Sequence, residues 1–193
     1  MPRNRTGLKW TPRKNKNLDF LFGTWNVRSL NKPGSSQTLV KELSEYKMKV
    51  VALQEMRWKE TGSTKIADGN LLYGDCGETH EFGTGFYVHN TIFPSVKNFM
   101  SINNRLSVLT IEAQWFDITF INVHAPTEEK DDTIKEEFYS ELERVYNEQP
   151  RANIKIVLGD ANAKLGHENR YREVIGRDSL HETTNSNGLL LIN

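Results

Sequence analysis

The chain has a single cysteine, Cys76, among 193 residues. That excludes an internal disulfide framework and the small secreted scaffolds built on one. Net charge is missing too, because 25 basic and 25 acidic side chains cancel. Bulk charge therefore announces no polyanion partner, and any basic surface has to be local. No apolar run approaches the ~18 residues needed to span a bilayer, and the N-terminus lacks the apolar core of a signal peptide. A cytoplasmic or nuclear location and no membrane partner are expected. Internal repeats and low-complexity tracts are absent. What is present is 37% apolar residues, enough to bury one sizeable core and too little for two ordinary domains. The apolar run Gly188 to Ile192 reaches Asn193 without a terminating signal, so the length reads as that of a fragment.

Charge is unevenly placed. Residues 1–17 hold Arg3, Arg5, Lys9, Arg13, Lys14 and Lys16 with no acid and two prolines, the pattern of a disordered basic arm. A solvated tail is the plain reading; contact with nucleic-acid phosphates or a weak nuclear address is the functional one. The folded domain is expected over 18–193.

Within it, short apolar runs alternate with helical segments. Leu18 to Val27 and Val50 to Glu55 read as buried strands, separated by a helix from Ser35 or Ser36, as cap, to about Lys47. Phe86 to Val88 is expected to pair with Ile92 to Val96 across a turn at His89-Asn90. Leu106 to Ala113 and Asp117 to Val123 flank a short aromatic turn and are rich in β-branched residues. Asp132 to Asn147 repeats Ile134, Phe138, Leu142 and Val145 on one helical face. Ile154 to Leu158 is another core strand, and Ser186 or Asn187 caps a last helix. Strands in both hairpin and βαβ order predict an α/β fold, a layered sandwich of mixed sheets.

The informative pattern is where the strands stop. Four apolar strands end in Asn26, in Glu55, in His124, and in Asp160 with Asn162. If these strands share one sheet edge, the five groups converge in a crevice beyond it, where open α/β sheets place ligands. Carboxylates and amides are oxygen ligands suited to Mg²⁺, which needs one or two protein carboxylates when a phosphate supplies the rest. The other groups would orient water and stabilise developing phosphorane oxygens. Taken singly, each residue has a plain explanation: a solvated acid, a turn Asn or Asp, a half-buried histidine. Together they stand apart, because every one follows an apolar run expected to be a buried strand.

The segments Gly23-Thr24-Trp25-Asn26-Val27-Arg28-Ser29-Leu30, Leu53-Gln54-Glu55, Asn122-Val123-His124-Ala125-Pro126 and Leu158-Gly159-Asp160-Ala161-Asn162-Ala163 carry a resemblance. In order and spacing they resemble the motifs of the endonuclease/exonuclease/phosphatase superfamily, closest in flavour to non-LTR retrotransposon endonuclease domains and craniofacial development protein 2-like proteins. The resemblance implies a four-layered α/β sandwich, two mixed sheets flanked by helices, and metal-dependent phosphodiester hydrolysis with Mg²⁺ or Mn²⁺. It implies Glu55 and Asn26 as metal residues. Asp160 would position or deprotonate the attacking water, and Asn162 would orient nucleophile and phosphate. His124 stands where many nuclease relatives carry a tyrosine that contacts phosphate, and an imidazole's charge depends on pH. Two further family elements, an aspartate strand motif and a Ser-Asp-His motif, have no match in residues 164–193. His167 and His181 come too early in the order and receive no role.

DNA is the expected partner of an endonuclease-like reading. Arg28, Arg57 and Lys164 lie near motif ends, and Trp58 can stack on a base or sugar, although each is also an ordinary surface side chain. Two alternatives stay open. One is a non-catalytic protein that keeps the fold and nucleic-acid affinity without turnover. The other is an inositol-phosphate or sphingolipid phosphodiesterase of the same superfamily.

Overall fold

A computed structural model describes residues 20–77, 81–176 and 178–193. The expected basic arm of 1–17 and the start of the first expected strand lie outside them. Among the described residues the order is β1 (Phe22–Asn26), α1 (Ser35–Glu45), β2 (Val50–Gln54), β3 (Gly62–Ile66), β4 (Gly69–Tyr73), β5 (Gly85–His89), β6 (Val96–Asn103), β7 (Leu106–Ile111), β8 (Ile118–His124), α2 (Asp132–Glu148), β9 (Ile154–Asp160) and α3 (Ser186–Ile192). The strands form two mixed sheets, ordered β1-β2-β5-β4-β3 and β6-β7-β8-β9.

Burial of apolar faces stacks these elements in four layers, α1, the two sheets and α2. β2 is buried along its whole length because both of its faces are covered. Val51 and Leu53 face Leu39, Val40 and Leu43 of α1, while Val50 and Ala52 pack with Leu109, Ile111 and Phe120 of the second sheet. On the far side, Val108, Ile121 and Val123 meet Phe138, Leu142 and Val145 of α2. A strand buried on both faces reads as a continuous apolar run rather than an alternating one.

Each sheet contains one parallel pair, β1 with β2 and β8 with β9. Each pair is joined through an outer helix, α1 or α2, as parallel neighbours require. Both pairs therefore present their C-terminal ends together. β1 packs against β9, and β2 against β8 and β9.

Six local expectations need correction. β1 and β9 are not buried core strands: each is a sheet edge without a buried residue, leaving Phe22 and Trp25, and Ile154 and Val157, exposed. Phe86 to Val88 does not form a hairpin with Ile92 to Val96: β5 is held between β2 and β4. Residues Phe93–Ser95 form a 3₁₀ turn, with Pro94 withholding a ladder donor, and β6 pairs with β7 in the other sheet. The N-cap of α1 is Gly34 in the left-handed region, φ +84°, while the Ser35 hydroxyl turns back to donate to Leu30 O and Lys32 O. On α2, Ile134 is exposed and Lys135 takes the buried place, its ammonium donating to Glu128 O and Ser186 Oγ. The cap of α3 is Asn185, whose side-chain oxygen accepts from Gly188 N at 2.8 Å.

Candidate active site

The four expected strand ends come together, but not along one sheet edge. Asn26 ends β1 and Glu55 follows β2 of one sheet, whereas His124 and Asp160 end β8 and β9 of the other. Convergence is thus a product of sheet-on-sheet packing.

Asn26 is the link between them. Its Nδ2 donates to Glu55 Oε1 at 2.8 Å and to Asp160 Oδ2 at 3.2 Å, and its Oδ1 accepts from Arg28 N at 3.1 Å. The remaining oxygens are also engaged. Arg57 Nη2 reaches Glu55 Oε2 at 2.8 Å, and Asn162 N donates to Asp160 Oδ1 at 3.1 Å. Asn162 is pinned through Nδ2 to Ala125 O at 2.8 Å. His124 Nε2 lies 3.9 Å from Glu55 Oε1.

The local backbone is strained to make this possible. Arg28, Ser29, Glu55, Arg57 and Asn162 all have φ between +46° and +99°, a region that costs non-glycine residues about 1–3 kcal/mol each. Gly159, φ +141°, lets β9 approach β8 so closely that a Cβ would sit 2.0 Å from Val123 O.

Electrostatics set the two titrating groups apart. Burial works against charge on Glu55, but hydrogen bonds from Asn26 and Arg57 and the fields of His124 and Arg57 outweigh it, holding the carboxyl below its ordinary value. His124 is pushed the other way, toward the neutral form, by burial and by Arg105, against the pull of Asp160 and Glu55. Its Nδ1 is buried without a partner among the described residues. Its Nε2 faces Glu55, so the neutral tautomer with hydrogen on Nε2 is the one that would donate toward the carboxylates. Arg105 braces it, donating to His124 O at 2.9 Å and lying 4.0 Å over the Phe82 ring.

The family model described as Endonuclease/Exonuclease/phosphatase family matches residues 23–189. The chain belongs to this family. Craniofacial development protein 2 from Tragulus javanicus and from Bos taurus are both 26% identical to it over 152 residues, or 78% of this chain. The chain spans about a quarter of the length of these curated relatives. Among solved structures, the endonuclease domain of the telomere-specific non-LTR retrotransposon TRAS1 superposes with a TM-score of 0.57 at 14% identity, over 90% of this chain and 69% of that one. The AP endonuclease LMAP from Leishmania major gives 0.56 at 14%, over 94% and 68%. D. rerio TDP2 complexed with a single-strand DNA product gives 0.52 at 17%, over 74% and 60%. At these identities the likeness establishes the fold.

On this family scaffold the three expected substrate residues are placed unequally. Arg28 is exposed beside Asn26, and Arg57 is fastened to Glu55. Trp58 is only half outward: its ring packs on the α1 core and edge-on to Tyr73 at 4.6 Å, and its Nε1 points to Leu30 O. Lys164 is exposed next to the Asn162 loop.

Several supporting residues escape a reading of the motifs. Gln54 Nε2 donates to Asn122 Oδ1 at 2.7 Å, and Asn122 Nδ2 donates across to Leu53 O at 2.9 Å and Gly85 O at 2.8 Å. Thr24 Oγ1 closes the chain by donating to Gln54 Oε1. This buried polar layer bolts the strand before Glu55 to the strand that ends at His124. Asn187, fully buried, donates to Pro126 O and Asn162 O and so holds the loops after β8 and β9. The available signal was an amide inside an apolar run, as in Ile121-Asn122-Val123.

The donor set fits a hard divalent cation. Two carboxylates share one amide, and among the described residues no group of three or more His, Cys, Asp or Glu side chains forms a closed metal cage. One or two carboxylates completed by water and phosphate is how Mg²⁺ is usually held. Asn26 turns its N–H toward both carboxylates, so ligation through its oxygen requires the amide to rotate.

Proposed function

We propose that this chain carries the catalytic groups of a metal-dependent phosphodiester hydrolase acting on DNA, of retrotransposon-endonuclease type. The observation that carries the reading is the Glu55–Asn26–Asp160 bridge between the two sheets, with His124 and Asn162 beside it. Glu55, with Asn26 next to it, would hold Mg²⁺ or Mn²⁺, which supplies Lewis acidity toward a phosphoryl oxygen and offsets the charge of substrate and carboxylates. Asp160 accepts the proton of the attacking water, held in orientation by the bonds from Asn26 and Asn162 N. Asn162 Nδ2 orients the nucleophile and a phosphate oxygen once it exchanges Ala125 O for them. Neutral His124 donates a hydrogen bond to the phosphate where charge develops, a kind of contact worth ~10² to 10³ in rate. Arg28 and Arg57 supply positive charge for flanking phosphates. No helix among the described residues is long and apolar enough to cross a membrane, and a nuclear or cytoplasmic location suits the substrate.

The test is nicking of supercoiled plasmid and cleavage of abasic duplex with Mg²⁺, using residues 1–193 and a version extended to carry a Ser-Asp-His motif. Residues 164–193 contain no Ser-Asp-His motif, which is why the extended version is tested beside them. Cleavage abolished by chelation and by Glu55→Gln supports the reading, and no cleavage by any version refutes it. The same absent motif favours a second reading, a non-catalytic nucleic-acid binder. Salt-dependent DNA binding with no metal-dependent cleavage would select it.

A further inference from the structure

We propose that the groove walled by Arg57, Trp58, Lys59 and Tyr73, with Asn31 at its rim, is a subsite for one nucleotide of the strand that flanks the scissile phosphate. The inference rests on the nucleic-acid reading above. The groove, about 490 Å³ in volume, lies next to the carboxylate cluster and shares Arg57 with it as a common wall. Its chemistry has two parts. Trp58 and Tyr73 form an aromatic wall, their rings perpendicular at 4.6 Å, which fixes both planes before anything binds. Arg57 and Lys59 border that wall with positive charge against the single acid Glu60.

Packing against the α1 core places the two rings but does not account for the charge beside them. Lys59 is exposed and makes no ion pair among those found for the described residues. Tyr73 places its hydroxyl over Gly62, where a Cβ would approach within 2.9 Å, so β3 leaves room for the phenol at the groove. Arg57 is held in the left-handed region, φ +61°, which turns Trp58 and Lys59 away from the run of β2. An aromatic face takes any base by stacking, and flanking cations take its phosphate. This subsite would therefore raise affinity for a strand without choosing its sequence.

The experiment measures the Kd of the full chain, in EDTA, for a fluorescein-labelled eight-nucleotide single strand across a salt series. Tyr73→Leu should weaken binding roughly five- to hundredfold, as loss of one stacked base does. Lys59→Ala, an exposed change that leaves the fold intact, should lower the slope of log affinity against log salt by about 0.7, one phosphate contact to a single strand. Lys41→Ala on α1 should change neither. If the chain binds but both variants match the parent, the subsite is wrong and the nucleic-acid reading stands. A Lys59 effect without a Tyr73 effect leaves charge attraction alone and overturns the base pocket. If the folded parent does not bind the oligonucleotide, the nucleic-acid reading fails and the subsite with it.

Discussion

Asn122→Ala and Ser107→Ala should move stability in opposite directions, although the two residues oppose each other on one rung of the β7–β8 ladder and both are fully buried. The difference lies in what depends on each. Asn122 donates to Leu53 O and Gly85 O and accepts from Gln54 Nε2. Alanine strands the Gln54 amide, takes one bond from each of two carbonyls and opens a small void. Leaving one buried polar group unsatisfied costs about 1–3 kcal/mol. With weaker contributions from the carbonyls, the sum is about 3–5 kcal/mol, the exceptional end of single substitutions. Ser107 Oγ is buried with no partner among the described residues, so its desolvation is uncompensated and alanine should be neutral or stabilising by about 1 kcal/mol. Urea unfolding followed by tryptophan fluorescence reads both. With m near 1–3 kcal/mol/M, the Asn122 midpoint should fall by roughly 1–5 M at unchanged m. An Asn122→Ala protein within about 0.5 kcal/mol of the parent, or a Ser107→Ala protein as damaged as it, would refute the claim that this layer bolts the two sheets together.

Three further outcomes follow from the site's geometry. Gly159→Ala should lower stability by roughly 3 kcal/mol or more, because φ is +141° and the new Cβ meets backbone at Val123 O rather than a side chain that can move; an unchanged Tm would contradict the close β8–β9 approach. In EDTA, stability should decline as pH falls below the ordinary histidine value of 6.5, since His124 is depressed in the fold and the unfolded chain takes up the proton first. Glu55, also depressed, adds a further loss as pH falls below about its ordinary value of 4.5, and His124→Gln should flatten only the upper part of the profile. Asn187→Ala removes donors to Pro126 O and Asn162 O at a cost of about 1–3 kcal/mol. Hydrogen exchange should rise around Asn162 while the amides of β2 stay protected, and equal exchange at both would argue against a holding role.

The sequence pattern was readable wherever a strand is buried on both faces. β2 and β8 stand out as apolar runs with abrupt polar ends, and α2 by its repeat of Phe138, Leu142 and Val145; β9 shows the same kind of run although, as an edge strand, it leaves Ile154 and Val157 exposed. The three strands it did not disclose are β3, β4 and β6, the last an edge strand with no buried residue. β3, Gly62 to Ile66, is an edge strand exposed over its middle three residues, so it carries no apolar signature. β4 begins Gly69-Asn70, residues that ordinarily mark turns. The false hairpin at His89-Asn90 arose because a turn signal between two apolar segments has the same local form whether the chain folds back or crosses to another sheet. Here it crosses.

The site was readable residue by residue but not as an assembly. Polar groups after apolar runs marked Asn26, Glu55, His124 and Asp160, and the two helix crossovers α1 and α2 account for why each parallel pair ends together. Nothing in a linear pattern states that Asn26 and Asp160, 134 positions apart, share a hydrogen bond of 3.2 Å. That contact depends on the apolar layer between the sheets, where Val50 and Ala52 meet Leu109 and Phe120, and on Gly159 drawing β9 in. The geometry of the candidate site is therefore set by the same packing that sets stability. A substitution such as Asn122→Ala, with no contact to any proposed catalytic group, should disturb the spacing of Glu55 and His124 through the two strands it ties.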